Sequence, residues 1–304
     1  MNKEFQYQNK KIFYRVIGDG KPVILVHGFG EDGEIWENQA EALKNKFRFI
    51  IPDLPGSGRS EMIDDMSMEG MAEVIKEIID KEASLNPSEA CLSGRQGGTS
   101  DSDNLNNRTK STTTLYSESQ NPLSEGRGAI IGHSMGGYIT LAFIEAYPNH
   151  VSAFGLFHSS GFADSEEKKA TRRKGIEFIN EHGAAAFLRT TTPNLFSQKT
   201  KDEKPELVDQ LLATSDNFSP PSLVSYYAAM MKRPDRTAIL SKTAVPVLFI
   251  MGKYDVAVPV EDGLKQCHLP GKSYIHVLQE SGHMGMLEEP LKANLILDKF
   301  LLEI

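Results

Sequence analysis

The sequence predicts an α/β fold with a mostly parallel central sheet covered by helices on both faces. Short apolar runs alternate along the chain with segments whose apolar residues recur at helical spacing. The apolar runs are continuous rather than interrupted by polar residues, which is typical of strands buried on both faces. With 304 residues, 39% of them hydrophobic, the chain is long enough for one sizeable core or at most two domains.

The first half of the chain begins with a hairpin pattern and then alternates between strand and helix patterns. Its predicted elements are a hairpin of residues 5–8 and 12–17, a strand over 23–27, a helix over 34–45, a strand over 47–51 and a helix over 68–79. In the second half the predicted elements are strands over 129–131, 151–157, 246–251 and 273–278, with helices over 136–147 and 287–303. This order is expected of parallel strands joined by helical connections.

Two stretches interrupt the alternation. Residues 162–240 contain helical patterns without a clear strand and are predicted to form a helical excursion from the sheet. In residues 84–128, 26 of the 45 positions are Ser, Thr, Asn, Gly or Pro, so few apolar residues remain to offset the entropy of ordering. We therefore expect a disordered insert or long loop there. The alternative is that its few leucines and Tyr116 fold over the functional site as an extra lid.

Composition excludes several classes of function. The net charge is −8, whereas a surface that binds nucleic acid needs a basic excess. Cys91 and Cys267 cannot build a disulfide framework or a four-ligand zinc site, which favours a reducing, cytoplasmic location. No apolar run is long enough to span a bilayer, and the first residues lack an apolar secretion signal. We expect no metal, no cofactor, no nucleic acid and no membrane partner.

The strongest chemical signal is the motif GHSMGG, residues 132–137. It follows an apolar strand and precedes a helix, so Ser134 is predicted to lie on a sharp strand-to-helix turn. The flanking glycines are expected because a Cβ atom there would collide with the neighbouring strand and helix. Such a turn presents the Ser134 Oγ atom as a nucleophile and directs a helix N-terminus at any developing anion.

A serine nucleophile needs a base that is oriented by a carboxylate. Asp255 follows one predicted strand and His283 follows the next, and active sites of open α/β sheets assemble beyond the carboxyl ends of the strands. Taken singly, Asp255 could be a turn or helix-cap carboxylate, and His283 could be a solvated loop histidine. The order Ser134, Asp255, His283 favours a catalytic triad, because this kind of sheet requires that order.

A further signal is HGFG, residues 27–30, directly after the strand over 23–27. The backbone N–H groups of Phe29 and Met135 can converge on the oxyanion of a substrate, and the glycines allow a close approach. A Gly-rich loop could instead bind phosphate. This one lacks the Lys-Ser/Thr pair of a P-loop and the glycine spacing of a dinucleotide-binding loop, which favours the oxyanion hole.

Five motifs together resemble those of the α/β-hydrolase family. They are HGFG (27–30), DLPGSGRS (53–60), GHSMGG (132–137), GKYDVAVP (252–259) and SGHMGMLEEP (281–290). Within that family the chain is similar to small intracellular carboxylesterases, including the pimeloyl-acyl-carrier methyl ester esterases. The resemblance therefore implies an α/β-hydrolase fold and a hydrolytic activity.

The resemblance also implies a role for each site residue. Ser134 would be the nucleophile, and His283 the general base and then the general acid. Asp255 would orient His283, and the backbones of Phe29 and Met135 would form the oxyanion hole. The implied domains are a core over 1–161 and 241–304, and a helical cap over the acyl pocket formed by 162–240.

These expectations predict a serine hydrolase that cleaves a small carboxylic ester through an acyl-enzyme intermediate. A thioesterase, a lactonase or a hydrolase of a C–C bond beside a ketone needs the same triad, and the sequence over 162–240 does not choose among them. An alternative of another class is a low-turnover ligand-binding sensor on the same fold. A complete set of nucleophile, base, acid and oxyanion loop favours the enzyme, because a binding protein does not need all four.

Overall fold

The structure is a computed structural model, and it describes residues 1–84 and 128–304. Within these residues eight strands form one sheet. The strands are β1 (Asn2–Tyr7), β2 (Lys10–Ile17), β3 (Lys21–Val26), β4 (Phe47–Pro52), β5 (Ala129–His133), β6 (Ala153–Phe157), β7 (Val247–Gly252) and β8 (Ser273–Leu278). Their order across the sheet is β1, β2, β4, β3, β5, β6, β7, β8. The predicted insert over 84–128 lies outside the described residues, apart from its two end positions.

The sheet has an antiparallel margin and a parallel body. A two-residue turn at Gln8 and Asn9, with φ angles of +49° and +63°, joins β1 to β2 as an antiparallel hairpin. The strand β2 pairs antiparallel with β4, and all the other neighbouring strands are parallel. The carboxyl ends of β3 to β8 therefore lie along one edge of the sheet, where a site can assemble.

The strands in the middle of the sheet are buried on both faces. All residues of β5, β6 and β7 are buried. Along β3, Ile24 and Val26 belong to one apolar cluster, whereas Val23 and Leu25 belong to another. Because successive side chains on a strand point to opposite faces, each face of the sheet has its own apolar layer. This arrangement explains why the apolar runs of the sequence are continuous.

Twelve α-helices surround the sheet in the described part of the chain. They are α1 (Glu37–Leu43), α2 (Met68–Ser84), α3 (Met135–Ala146), α4 (Glu166–His182), α5 (Ala184–Thr191), α6 (Gln198–Glu203), α7 (Pro205–Leu212), α8 (Pro220–Lys232), α9 (Thr237–Lys242), α10 (Val260–Gln266), α11 (Gly285–Glu288) and α12 (Pro290–Glu303). None of these helices is both long and apolar enough to cross a membrane.

The segment 162–240 contains helices and no strand, as the sequence predicts. The side chains of Ile179, Leu188 and Tyr226 in this segment belong to the same apolar cluster as residues of β3 and α3. The helices α4, α5 and α8 therefore share one continuous apolar cluster with the sheet. The division of the chain into a core and a cap stays a prediction.

Some predicted elements differ from the structure. The helix predicted over 34–45 is a 3₁₀ turn, Gly33–Trp36, followed by α1. The helix predicted over 287–303 is two helices, because Pro290 has no N–H to continue a preceding helix and instead begins α12. The prediction also missed α10, a helix of 7 residues that connects β7 to β8. Parallel neighbours need such a crossover.

Candidate active site

Ser134 lies at the junction between β5 and α3. Its φ and ψ angles, +50° and −116°, lie in a region that residues with side chains rarely adopt. The Ser134 N–H donates to the Phe157 carbonyl at 3.0 Å, and the Ser159 hydroxyl donates to the Ser134 carbonyl at 2.7 Å. These bonds hold the half-buried Ser134 in one strained conformation at the carboxyl edge of the sheet.

The glycines around Ser134 make this turn possible. A Cβ atom on Gly132 would lie 2.2 Å from the carbonyl oxygen of Gly136, at the start of α3. A Cβ atom on Gly136 would lie 2.4 Å from the carbonyl oxygen of Val26 in β3. The predicted collisions with the helix and with the neighbouring strand are therefore confirmed.

Asp255 follows β7, His283 follows β8, and the two side chains meet. The Nδ1 atom of His283 lies 2.7 Å from the Oδ2 atom of Asp255, and both residues are buried. The other oxygen of Asp255, Oδ1, accepts the backbone N–H groups of Ala257 and Val258 at 2.9 and 2.8 Å. Asp255 is therefore a turn carboxylate and the partner of His283 at the same time.

The ring of His283 also packs beside the serine turn. Its centroid lies 4.9 Å from the centroid of His133, the residue before Ser134. The Nε2 atom of His133 donates to the backbone carbonyl of His283 at 3.0 Å. The structure thus brings Ser134, Asp255 and His283 to one edge of the sheet, and their catalytic roles stay predictions.

The surroundings shift the pKa values of Asp255 and His283 in opposite directions. Burial alone would raise the pKa of Asp255, but the charge of His283 and hydrogen bonds from His158 and His283 lower it well below its usual range. Burial alone would lower the pKa of His283, but the charge of Asp255 and the hydrogen bond to it raise it above its ordinary value. Glu31 and Glu288 add to that increase. The site therefore holds an ionised carboxylate beside a basic histidine.

A second histidine, not predicted from the sequence as a site residue, contacts Asp255. His158 follows β6 with a φ of +49°, and its Nδ1 atom lies 3.0 Å from Asp255 Oδ2, the oxygen that His283 also contacts. Its side chain is fully buried, and its Nε2 atom has no hydrogen-bond partner among the described residues. Burial lowers the pKa of His158 to about 4, although the hydrogen bond to Asp255 opposes this, so His158 is neutral near pH 7. Its position just past the end of a parallel strand was the one signal that could have found it.

A buried carboxylate, Glu31, connects three loops of the site. Its Oε2 atom accepts the Gly28 N–H at 2.8 Å and lies 2.9 Å from the Nδ1 atom of His133. Burial alone would raise the pKa of Glu31, but the charge of His133 and the hydrogen bond to it lower that pKa. Because His133 also donates to the carbonyl of His283, the pair links the HGFG loop, the serine turn and the loop of His283.

A second carboxylate, Glu288, fixes the backbone on both sides of His283. Its Oε1 atom accepts the N–H groups of Gly282 and Met284 at 2.8 and 3.1 Å. Its Oε2 atom accepts the N–H of Ser197, between α5 and α6, at 2.8 Å. Glu288 belongs to the motif SGHMGMLEEP, but its role was not predicted from the sequence.

The predicted oxyanion-hole donors are in the loop after β3 and at the start of α3. In the part of the chain that the structure describes, the N–H groups of Phe29 and Met135 have no hydrogen-bond partner, so both can donate to a ligand. The loop of Phe29 is held by His27, whose Nε2 atom accepts the Leu54 N–H at 2.9 Å. The oxyanion-hole role of Phe29 and Met135 stays a prediction.

Aromatic side chains from α5 and α8 surround Phe29, and we call this group the aromatic wall. Tyr227 stacks on the Phe29 ring, with centroids 4.4 Å apart and planes 7° apart. Phe187 and Tyr226 contact the same ring at 6.2 Å in T-shaped geometry. The Tyr226 hydroxyl donates to the Pro55 carbonyl at 2.6 Å. The helices therefore supply an apolar, aromatic surface beside the predicted oxyanion hole.

His158, Asp255 and His283 are residue types that can bind a metal ion, and their ligand atoms lie within 4.8 Å of one another. Each histidine Nδ1 atom lies at hydrogen-bond distance from Asp255 Oδ2, so hydrogen bonds account for the arrangement. We assign no metal or cofactor to these residues.

Residues 23–293 of the chain match the Alpha/beta hydrolase family. The matched stretch includes the HGFG loop, the serine turn, Asp255 and His283. The chain therefore belongs to this family, and the fold class predicted from the sequence is confirmed.

Curated relatives of the chain include an esterase and a hydrolase of an oxo-dienedioate. A pimeloyl-[acyl-carrier protein] methyl ester esterase of Vibrio cholerae serotype O1 is 38% identical over 66 residues, which are 22% of this chain and 26% of that protein. A 2-hydroxy-6-oxononadienedioate/2-hydroxy-6-oxononatrienedioate hydrolase of Pseudomonas putida is 26% identical over 295 residues, which are 91% of this chain and 87% of that protein. The alignment thus spans about a quarter of the first relative and most of the second.

A thermophilic esterase from Thermogutta terrifontis has a similar structure. The TM-score is 0.80 and the identity is 24%, over 100% of this chain and 98% of that chain. The likeness at this identity is one of fold. The structure of this esterase therefore supports the α/β-hydrolase fold of the chain.

Proposed function

We propose that the protein is a serine hydrolase that cleaves a small carboxylic ester through an acyl-enzyme intermediate. The observation that carries the proposal is the buried pair of Asp255 and His283 beside the turn of Ser134. A histidine held by a carboxylate can accept the proton of a serine, which makes that serine a nucleophile. The esterases among the similar proteins support an ester as the substrate.

In the first half of the proposed reaction, Ser134 Oγ attacks the acyl carbon of the ester and its proton passes to Nε2 of His283. Asp255 holds the other ring nitrogen of His283 and stabilises the imidazolium that forms. The bond between the acyl carbon and the alcohol oxygen then breaks. The alcohol leaves with the proton from His283, and the acyl group stays on Ser134.

In the second half, water attacks the acyl carbon and gives its proton to His283. The bond between the acyl carbon and Ser134 Oγ then breaks, the acid leaves, and the proton passes from His283 back to Ser134 Oγ. In both halves the carbonyl oxygen carries a negative charge, which the N–H groups of Phe29 and Met135 would stabilise by about 3 kcal/mol per donor. These steps use side chains, backbone and water alone, so the proposal needs no metal or cofactor.

Hydrolysis of p-nitrophenyl acetate and p-nitrophenyl butyrate tests the proposal. We expect steady turnover by the wild-type protein and a loss of about 10⁶-fold in kcat for Ser134→Ala, as for other triad nucleophiles. Ser273→Ala is the matched control, because Ser273 begins β8 at the opposite end of that strand from His283. The control should retain wild-type activity.

A fluorophosphonate probe gives a second measurement, because it labels only an activated serine. Mass spectrometry should find the probe on Ser134 of the wild-type protein. The assignment fails if Ser134→Ala keeps more than about a tenth of the wild-type rate or still takes the label. Tight binding of an ester without turnover would instead support the ligand-binding sensor.

A second candidate function is hydrolysis of a C–C bond beside a ketone. The specific observation is that the Pseudomonas putida relative, aligned over 91% of this chain, is named as a hydrolase of an oxo-dienedioate. The same triad can serve both reactions. Measuring kcat/KM for p-nitrophenyl esters and for a vinylogous 1,5-diketone would separate ester hydrolysis from C–C bond hydrolysis. The value of kcat/KM should be higher by orders of magnitude for the preferred substrate class.

A further inference from the structure

We propose that His158 is a positioning residue that donates to the same Oδ2 atom of Asp255 as His283 does. By this shared contact His158 weakens the stabilisation that Asp255 gives to the protonated form of His283. This inference rests on the proposed function, because it concerns the residue proposed as the base. Its basis is that two Nδ1 atoms lie at 2.7 and 3.0 Å from one carboxylate oxygen.

The carboxylate of Asp255 has all of its acceptor capacity in use. A carboxylate offers about four lone-pair sites. On Oδ1 these sites are used by the N–H groups of Ala257 and Val258, and on Oδ2 by His158 and His283. Four donors therefore share the negative charge of Asp255. The stabilisation of protonated His283 by Asp255 is weaker than it would be without the other three donors.

His158 acts in this cluster as a neutral donor and not as a second base. Its Nδ1 atom contacts a carboxylate, which accepts only, so Nδ1 carries the hydrogen. Its Nε2 atom then has no hydrogen, and this buried atom has no partner among the described residues. The ring is packed against Gly285, since a Cβ atom there would lie 2.4 Å from His158 Nε2. The geometry thus fixes the ring with its donor directed at Asp255.

Five charged or titratable residues lie around His283, each on a different loop or element. They are Asp255 after β7, His158 after β6, His133 at the end of β5, Glu31 in the loop after β3, and Glu288 in α11. Of the three carboxylates in this group, Asp255 makes the direct contact with the imidazole of His283.

Removing the His158 donor should therefore strengthen the effect of Asp255 on His283. The protonated form of His283 gains stability, so the pKa of His283 rises. Because the base must be neutral, the low-pH side of the kcat/KM profile then moves to higher pH. A residue that merely filled space would lower stability or kcat without moving this titration.

The variants His158→Leu and His158→Asn form a matched pair. The two new side chains have nearly the same size and shape, but only asparagine places an N–H group where Nδ1 of histidine lies. Asparagine also tolerates the positive φ at this position. We expect His158→Leu to raise the titration midpoint of His283 by about 0.5–1 pH unit, and His158→Asn to shift it by less than about 0.2 unit.

The titration of His283 is measured in two ways. The first is NMR of protein labelled at histidine Cε1, with His283→Gln identifying the resonance. The second is the pH profile of kcat/KM for p-nitrophenyl acetate. A midpoint that rises in His158→Leu and stays in place in His158→Asn supports the proposal. Equal midpoints in the wild-type protein and both variants overturn it, and so does a loss of rate without a shift.

The experiment still gives a result if His158→Leu does not fold or if the protein is not a serine hydrolase. If His158→Leu does not fold, His158→Gln serves instead, because its amide takes the place of Nε2 and leaves Asp255 without the donor. If the wild-type protein shows no hydrolysis that depends on Ser134, the proposed function fails. The NMR titration then still decides whether His158 modulates the pair of Asp255 and His283.

Discussion

The two halves of the candidate site are built by different means. The triad half consists of short loops after β5, β6, β7 and β8, where hydrogen bonds of 2.7 to 3.1 Å fix the polar groups. The other half is the aromatic wall, where rings from α5 and α8 contact Phe29 at 4.4 to 6.2 Å. A hydrogen bond is lost outright when its donor is removed, whereas a packed surface changes by degrees. We therefore expect substitutions in the triad half to change the chemistry and those in the aromatic wall to change selectivity.

The largest effect in this comparison is expected from His283→Gln. Without the base, Ser134 Oγ keeps its proton, and kcat should fall by about 10⁶-fold, as for Ser134→Ala. The double variant of Ser134 and His283 should be no slower than either single variant, because the triad acts as a unit. Stopped assays with a fluorogenic ester can measure rates this low. Additive losses in the double variant would contradict the shared mechanism.

A smaller loss is expected from Asp255→Asn. The amide cannot stabilise the imidazolium, and it offers one acceptor oxygen to His158, His283 and two backbone N–H groups. We expect kcat to fall by about 10⁴-fold. Asp262→Asn is the control, since Asp262 lies on α10 and pairs with Lys265. A decrease below about tenfold, with folding confirmed by circular dichroism, would place the orienting acid elsewhere.

The pH dependence of the reaction is expected to follow the titration of His283, in the triad half. The structure raises the pKa of His283, whose ordinary value is about 6.5, so the low-pH side of the kcat/KM profile should have its midpoint above that value. Below the midpoint the rate should fall about tenfold per pH unit, and above it the rate should reach a plateau. Asp255 stays ionised throughout, because its pKa is held well below its usual range. A flat profile from about pH 5 to pH 8, with chemistry rate-limiting, would argue against a histidine base.

The smallest effect is expected from the aromatic wall. Tyr227→Ala removes the ring stacked on Phe29, so KM for esters of different chain length should change by about tenfold or less while kcat for acetate changes little. Tyr254→Ala is the matched control, because Tyr254 is half exposed and lies outside the aromatic wall. A loss in kcat for Tyr227→Ala as large as that of Asp255→Asn would erase the distinction between the two halves.

The parts of the fold and of the triad half that could be predicted from the sequence are those that local sequence patterns determine. The motif GHSMGG determines the backbone of Ser134 locally, because its glycines are needed within a few residues of the turn. Asp255 and His283 could be placed because each follows a strand, and parallel strands end at one edge. The fold class could be predicted for the same reason, from continuous apolar runs.

The site residues that could not be predicted depend on contacts between distant parts of the chain. His158 and Asp255 are 97 positions apart, and Glu31 and His133 are 102 positions apart, so no local spacing marks either pair. No local spacing relates the tyrosines of α8 to Phe29 either. Their contact with Phe29 follows from the way α8 packs on the loop after β3.

Gly285 has a consequence for how this protein can change by mutation. A Cβ atom at this position would lie 2.4 Å from His158 Nε2 and 2.5 Å from a methyl carbon of Leu278. Leu278 can turn its flexible end away, but the ring of His158 is held by Asp255. We therefore expect alanine at position 285 to destabilise the protein less when position 158 carries a shorter side chain than histidine. This contact predicts epistasis between positions 158 and 285, because the cost of a side chain at one position depends on the residue at the other.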